Sequence, residues 1–259
     1  MTVAIHPTAI VAPGAEIDPS CEIGPYAIVG PKVRMGRGNV VGAHAVVDGN
    51  TAMGAGNRIF PHAVVGAAPQ DLKYRGEDTR LELGDGNVIR EFASVHTGTV
   101  GGGGVTRLAN QCLIMASAHV AHDVHLGDRC IVATFCALAG HVEAEDGAIF
   151  GGVSAVQQFA RIGRLAYIGG LTGVNMDVAP YLMVSGARGE VVGINVVGLQ
   201  RAGFTEEQVG RVKDAYRIVF RSRLGLQEAL AQVRAEMGQH PEIAHWVKFI
   251  EGAERGIMR

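Results

Sequence analysis

Five residues of this chain are best suited to acid–base chemistry: His96, His119, His122, His141 and Asp123. Imidazole titrates near neutral pH, so a placed histidine takes a proton from a weak nucleophile and later returns it. His122 is followed directly by Asp123, a carboxylate able to orient or bias the ring. Clustered histidines also suit a zinc ion, which is the competing reading of the same residues. His44 and His62, 18 apart, read as surface decoration. Cys21, Cys112, Cys130 and Cys136 are too few and scattered for a disulfide framework and contain no CxxC pair, so they read as packed interior thiols.

The element that must hold these side chains follows from a period of six. Counting from Ile5, every sixth residue to Val65 is aliphatic or Met, and Leu83, Ile89 and Val95 resume the frame. A second frame runs from Leu108 to Val174, which brings the apolar hexad positions to 26. Six fits neither the 3.6 of a helix nor the 2 of a half-buried strand. It fits short strands joined by tight corners, with the bulky residue inward, a small residue four places on, and glycine often directly after it. Hexads of this kind resemble those of left-handed parallel β-helices, with three to a triangular coil. About nine coils follow, a stack of roughly 40 Å at ~4.8 Å per coil.

Two segments leave the frame, residues 69–80 and 97–107. Both read as ejected loops, and long loops in compact folds are usually functional. The second holds Gly101 to Gly104, which match no phosphate-binding spacing and read as a flexible connection. That loop adds seven residues to its hexad, so His96, His122 and His141 fall 19 framed residues apart and climb adjacent coils near one corner.

Hexads stop near Pro180, giving a β-helix over 1–179 and a helical region over 180–259. Thr205-Glu-Glu-Gln208 is a capping box that opens one helix, and Leu226–Met237 and Ile243–Ile250 read as two more. Lys213, Arg217 and Arg221 share a face at helical spacing, a solvated stripe or a dock for an acidic partner.

Glycine is 37 of 259 residues and aromatics are scarce, as a narrow coil requires, while 47% apolar content excludes disorder. A net charge of −2 offers no field for nucleic acid. No 18-residue apolar run points to a membrane span, and the first residues lack a secretory pattern, so the expected compartment is the cytoplasm.

Beyond the hexads, six segments occur in order: Ile5-His-Pro-Thr-Ala-Ile-Val, Gln70-Asp-Leu-Lys-Tyr, Val95-His-Thr-Gly-Thr, Ala118-His-Val-Ala-His-Asp123, Leu138-Ala-Gly-His-Val and Gly198-Leu-Gln-Arg-Ala-Gly-Phe204. With the repeats and the helical tail they resemble the UDP-N-acetylglucosamine O-acyltransferases, along essentially the whole chain. The resemblance implies a cytoplasmic homotrimer that opens lipid A synthesis. It takes 3-hydroxyacyl groups from acyl carrier protein to the sugar 3-position, at sites between subunits, with no metal or cofactor. It makes His122 the general base, with Asp123 beside it, and the Gly140 N–H the oxyanion donor. It gives substrate contacts to Gln70, Asp71, Lys73, His96, His119, His141, Gln157, Gln158, Asn195 and Arg201, with Asp71 and Lys73 on the first loop where a neighbouring subunit's site could receive them and Arg201 a suitable partner for nucleotide phosphate. Gly170 stands where the family sets acyl length, and its missing side chain implies room for a long chain.

Gln157 replaces a family histidine near the sugar, which opens the choice between UDP-N-acetylglucosamine and its 3-amino analogue. Val197 replaces an acidic residue near the nucleotide contacts and Arg188 a histidine near the acyl end. The other readings are a related hexapeptide acyltransferase (N-acyl transfer in the same pathway, or acetyl transfer from coenzyme A) and a zinc-dependent β-helical hydratase.

Overall fold

A computed structural model describes residues 4–259. From Ala4–Ile5 to Gly173–Val174 the chain is a left-handed parallel β-helix of mostly two-residue strands, stacked as three sheets that form the faces of a triangular prism. Each expected hexad residue pairs with the hexad residue one coil on, as Ile5 with Ile23 and Val11 with Val29. The loops alter only the spacing: Val65 pairs with Val95 and Val95 with Val120, so the second insertion is seven residues long. The core is the interior of the prism, where Ile23, Val29, Ile59, Leu108 and Leu138 are buried with the four cysteines, all free thiols.

The corners follow from two positions of the hexad. Three places after the hexad residue the backbone turns left-handed, with φ near +60° at Tyr26, His44, Asp123, His141 and Phe159. One place earlier stand seven of the nine prolines, Pro7 to Pro31 at intervals of six, then Pro61 and Pro180. Proline followed by positive φ, closed by a bond such as Ala27 N–H to the Gly24 carbonyl, is a type II turn. Proline is tolerated because the ladder of a regular coil does not use that N–H. Glycine directly after the hexad residue has a different cause from the bend expected of it. A Cβ on Gly36 would lie 2.7 Å from the Gly54 carbonyl oxygen of the next coil, so close stacking excludes a side chain.

Both loops leave from one corner, after Val64–Ala67 and after Ser94–His96 on successive coils. The following coils present His122, then Gly140 and His141, then Gln158 and Phe159 at that same corner. Insertion at a fixed place in the repeat therefore stacks two loops beside one histidine column.

Beyond the last hexad, Leu182–Ser185 adds a further parallel rung and Glu190–Ile194 pairs with it antiparallel. Four α-helices follow: α1 (Val196–Arg201), α2 (Glu206–Tyr216), α3 (Leu226–Met237) and α4 (Pro241–Glu251). The capping box at Thr205 is formed, and Trp246 fills the centre of the helical core. Arg161 fastens this region to the coil, donating to Asp177 and to the Phe249 carbonyl. The basic stripe is not a continuous face, because Arg217–Arg221 widens into a π-helical turn. There Arg217 pairs with Asp214, and Arg221 donates to the Tyr216 hydroxyl. No helix among the described residues is long and apolar enough to cross a membrane.

Candidate active site

His122 occupies the corner position that proline fills elsewhere, and its ring leans over Gly140 of the next coil. The His122 Nδ1 lies 2.8 Å from Asp123 Oδ2, so the two side chains meet as a hydrogen-bonded pair. That bond leaves Nε2 as the ring nitrogen free to take a proton. A Cβ on Gly140 would fall 2.5 Å from His122 Cε1, so any larger residue there displaces the ring. Among the described residues the Gly140 N–H has no hydrogen-bond partner, since its corner position keeps it out of the ladder. On the corner of Asp85, Asn110, Asp128 and Asp146, side chains of the next coil take up the equivalent N–H groups. At Gly140 no such side chain intervenes, and an oxyanion donor beside the base remains available.

Asp123 is 3% exposed, and its carboxylate accepts three hydrogen bonds. Oδ1 takes the Thr99 N–H at 2.8 Å; Oδ2 takes the Thr99 hydroxyl at 2.6 Å and His122. His141 stacks on Phe159 with centroids 4.3 Å apart, and its Nε2 is 3.7 Å from Asp123 Oδ2. Burial pushes the His141 pKa down, partly offset by Asp123, and nearby His122 pushes it further down. His119 is lowered by burial and by His122, and its Nδ1 is 2.8 Å from the Ser94 hydroxyl. His96, against His119, is pushed down to about 4, by burial first. Its Nδ1 is buried without a hydrogen-bond partner among the described residues.

Donor atoms of His122, Asp123 and His141 lie within 4.8 Å of one another, near enough to share an ion. Both carboxylate oxygens, however, already accept hydrogen bonds, one of them from His122 Nδ1. A coordinated ion would compete for those same lone pairs. The donor set fits a proton-transfer pair better than a metal cage.

Two cavities open on this corner. One of about 540 Å³ runs from Asp123 and His141 past Glu143 and Arg161 to Arg255. The other, about 230 Å³, brings Asp71 and Lys73 against His141, Phe159 and Thr99 of the same chain. The first loop thus lies beside its own chain's histidine corner. Gln70 and Gln158 are exposed. Gln157 lines a separate groove with Arg188 and Asn175. Gly170 is open: a Cβ there meets only the Gly152 carbonyl oxygen, at 3.3 Å.

Asn195 and Arg201 are not brought to the corner. They line a cavity of about 520 Å³ with Arg129, Tyr167 and Val197, on a different face of the prism. Asn195 is also committed structurally, capping α1 through the Gly198 N–H and donating to the Leu165 carbonyl. Thr99, Gly102 and Thr106 escaped the sequence reading, because nothing local marks a threonine in a glycine-rich loop as a carboxylate partner. The seven-residue insertion at the histidine corner was the available signal.

The fold and the relatives that share it make this chain a hexapeptide-repeat acyltransferase. Residues 177–258 match the family model described as Udp N-acetylglucosamine O-acyltransferase, domain 2. The chain is 66% identical over 256 residues to the acyl-[acyl-carrier-protein]–UDP-N-acetylglucosamine O-acyltransferase of Anaeromyxobacter sp. (strain K), covering 99% of this chain and 100% of the relative. It is 52% identical to the Myxococcus xanthus enzyme of the same name, covering 98% and 99%. The solved LpxA of Acinetobacter baumannii superposes with a TM-score of 0.95 at 40% identity, over 99% of this chain and 100% of that one. The chain belongs to the UDP-N-acetylglucosamine O-acyltransferase family.

Proposed function

We propose that this chain transfers a 3-hydroxyacyl group from acyl carrier protein to the 3-hydroxyl of UDP-N-acetylglucosamine, the first step of lipid A synthesis, with His122 as general base. The observation that carries the reading is the His122–Asp123 pair with its ring against Gly140, whose N–H is unpaired among the described residues. His122 Nε2 takes the hydroxyl proton as the sugar oxygen attacks the thioester carbonyl. The Gly140 N–H donates to the oxyanion of the tetrahedral intermediate. The carbon–sulfur bond then breaks, and the proton held by His122 passes to the departing thiolate. The products are the acylated sugar nucleotide and free carrier thiol. Asp123 holds the ring in the tautomer that leaves Nε2 a lone pair and stabilises the imidazolium that forms.

Asp71, Lys73, His96, His119 and His141 surround the base and take the sugar, and the open space above Gly170 takes the acyl chain. Asn195 and Arg201 bind the nucleotide from a second subunit of a homotrimer, since in one chain they sit on another face. The absence of any membrane-crossing helix among the described residues is compatible with the cytoplasm as compartment.

The test is turnover of 3-hydroxyacyl carrier protein with UDP-N-acetylglucosamine and with its 3-amino analogue, using donors of ten and fourteen carbons. His122→Ala lowers kcat by about 10²–10⁴-fold on the preferred pair. Full turnover in His122→Ala overturns the base. Faster transfer to the 3-amino analogue replaces the ester product with an amide. A preference for ten carbons removes the role given to Gly170.

A further inference from the structure

The Gly-rich loop is ordered around one carboxylate. Thr99 gives both its backbone N–H and its hydroxyl to Asp123, one to each oxygen, at 2.8 and 2.6 Å. Thr106, at the loop's far end, accepts the Asp123 backbone N–H at 2.8 Å. A Cβ on Gly102 would stand 2.1 Å from the carboxylate carbon and 2.4 Å from each oxygen, so this residue packs directly on the group. Gly103 and Gly104, with φ of +88° and +80°, turn the chain back into the strand Val105–Leu108. Asp123 itself sits in the left-handed corner conformation at φ 59°.

We infer that Thr99 is a positioning residue for the acyl transfer: with Gly102 it clamps Asp123 so that Oδ2 faces His122 Nδ1. The inference rests on the proposed base reading. A carboxylate held by one ring nitrogen alone is free to rotate about its Cβ–Cγ bond. Held by donors on both oxygens, it keeps one oxygen in line with the imidazole. Small errors in the placement of a reacting group cost large factors in rate. The hydroxyl also shares the charge on Oδ2, and so tunes how strongly that oxygen draws the His122 proton.

The experiment compares Thr99→Val, Thr99→Ser, Gly102→Ala and His122→Ala in the full-length enzyme. The readouts are steady-state kinetics with both substrates and the downfield proton resonance of His122 Nδ1–H. Thr99→Val keeps the shape and the backbone donor but loses the hydroxyl. Because the residue-99 N–H still holds Oδ1, it is expected to lower kcat about three- to tenfold with both KM values within about twofold. The Nδ1–H resonance is expected to move or broaden, and Thr99→Ser to restore both. Gly102→Ala, which pushes the carboxylate aside from the other direction, is expected to shift the resonance and kcat together. Wild-type kcat and resonance in Thr99→Val, with His122→Ala inactive, overturn the clamp and leave the base standing. A loss of kcat with the resonance unmoved and no rescue by serine also overturns it, as a merely structural role. An active His122→Ala removes the base reading and the clamp with it.

Discussion

At the scale of the residue, the repeat frame decides which side chains meet. His122 and Asp123 are adjacent in sequence, yet adjacency at a corner does not make two side chains touch. They meet because Asp123 adopts a left-handed backbone and is held from behind by Thr99. The frame showed that His96, His122 and His141 climb one corner, and it could not show that bond. His96 gives this column its own pH dependence. It is 5% exposed and its pKa is pushed down to about 4, by burial first. Between about pH 6.5 and 4 the unfolded chain binds a proton there that the folded chain refuses, so stability falls as pH drops through that window. The penalty is fully developed below the folded value and absent above the unfolded one. It amounts to about 3 kcal/mol at most. His96→Gln is expected to flatten the fall in urea-unfolding free energy between pH 7 and 4.5 by about 2–3 kcal/mol. An unchanged fall would show that burial at His96 does not hold the neutral form.

At the scale of the element, the coil was legible because its physics is periodic. Apolar residues at intervals of six announce the strands, and the register needs only the lengths of the two insertions. The interior is not wholly apolar, however. Asn39, Asn57 and Asn87 form a buried ladder, each accepting the backbone N–H of the next rung and the last accepting that of Cys112. The hexad count passed over them, since an asparagine at a small inward position looks like any polar residue at a corner. Replacing Asn57 by Ala strands the Asn87 N–H and frees one lone pair of Asn39 inside the prism. A cost of about 1–3 kcal/mol is expected. Denaturant unfolding measures it, and a change below about 0.5 kcal/mol would mean that the ladder is not a stabilising device. The glycine-rich loop taught the opposite lesson. It read as flexible from composition, but one of its glycines, Gly102, packs directly on Asp123. The strands Leu182–Ser185 and Glu190–Ile194 carry no hexad, because they end the stack as an antiparallel pair, with the last strand constrained on one side alone.

At the scale of the whole molecule, the two halves of the proposed site face apart. The histidine corner carries Asp71, Lys73 and His141, whereas Asn195 and Arg201 line a cavity on another face, with Arg129 and Tyr167. A prism some nine coils tall cannot bend one face onto another, so a single chain cannot close both halves on one sugar nucleotide. In the proposed homotrimer, cyclic assembly would set the Arg201 face of one copy against the histidine corner of the next, with the same contact repeated around the ring. That arrangement predicts complementation. His122→Ala chains keep a working Arg201 face, and Arg201→Ala chains keep a working histidine corner. Each variant alone is expected to be nearly inactive. Chains of both kinds, unfolded and refolded together in equal amounts, form mixed rings. One junction in four then joins a good corner to a good face, and activity recovers to about a quarter of wild type. Subunits mixed without dissociation serve as the control and stay at the sum of the two variants. Were each chain to hold a complete site of its own, the co-refolded sample would stay at that sum as well, and the site between subunits would be abandoned.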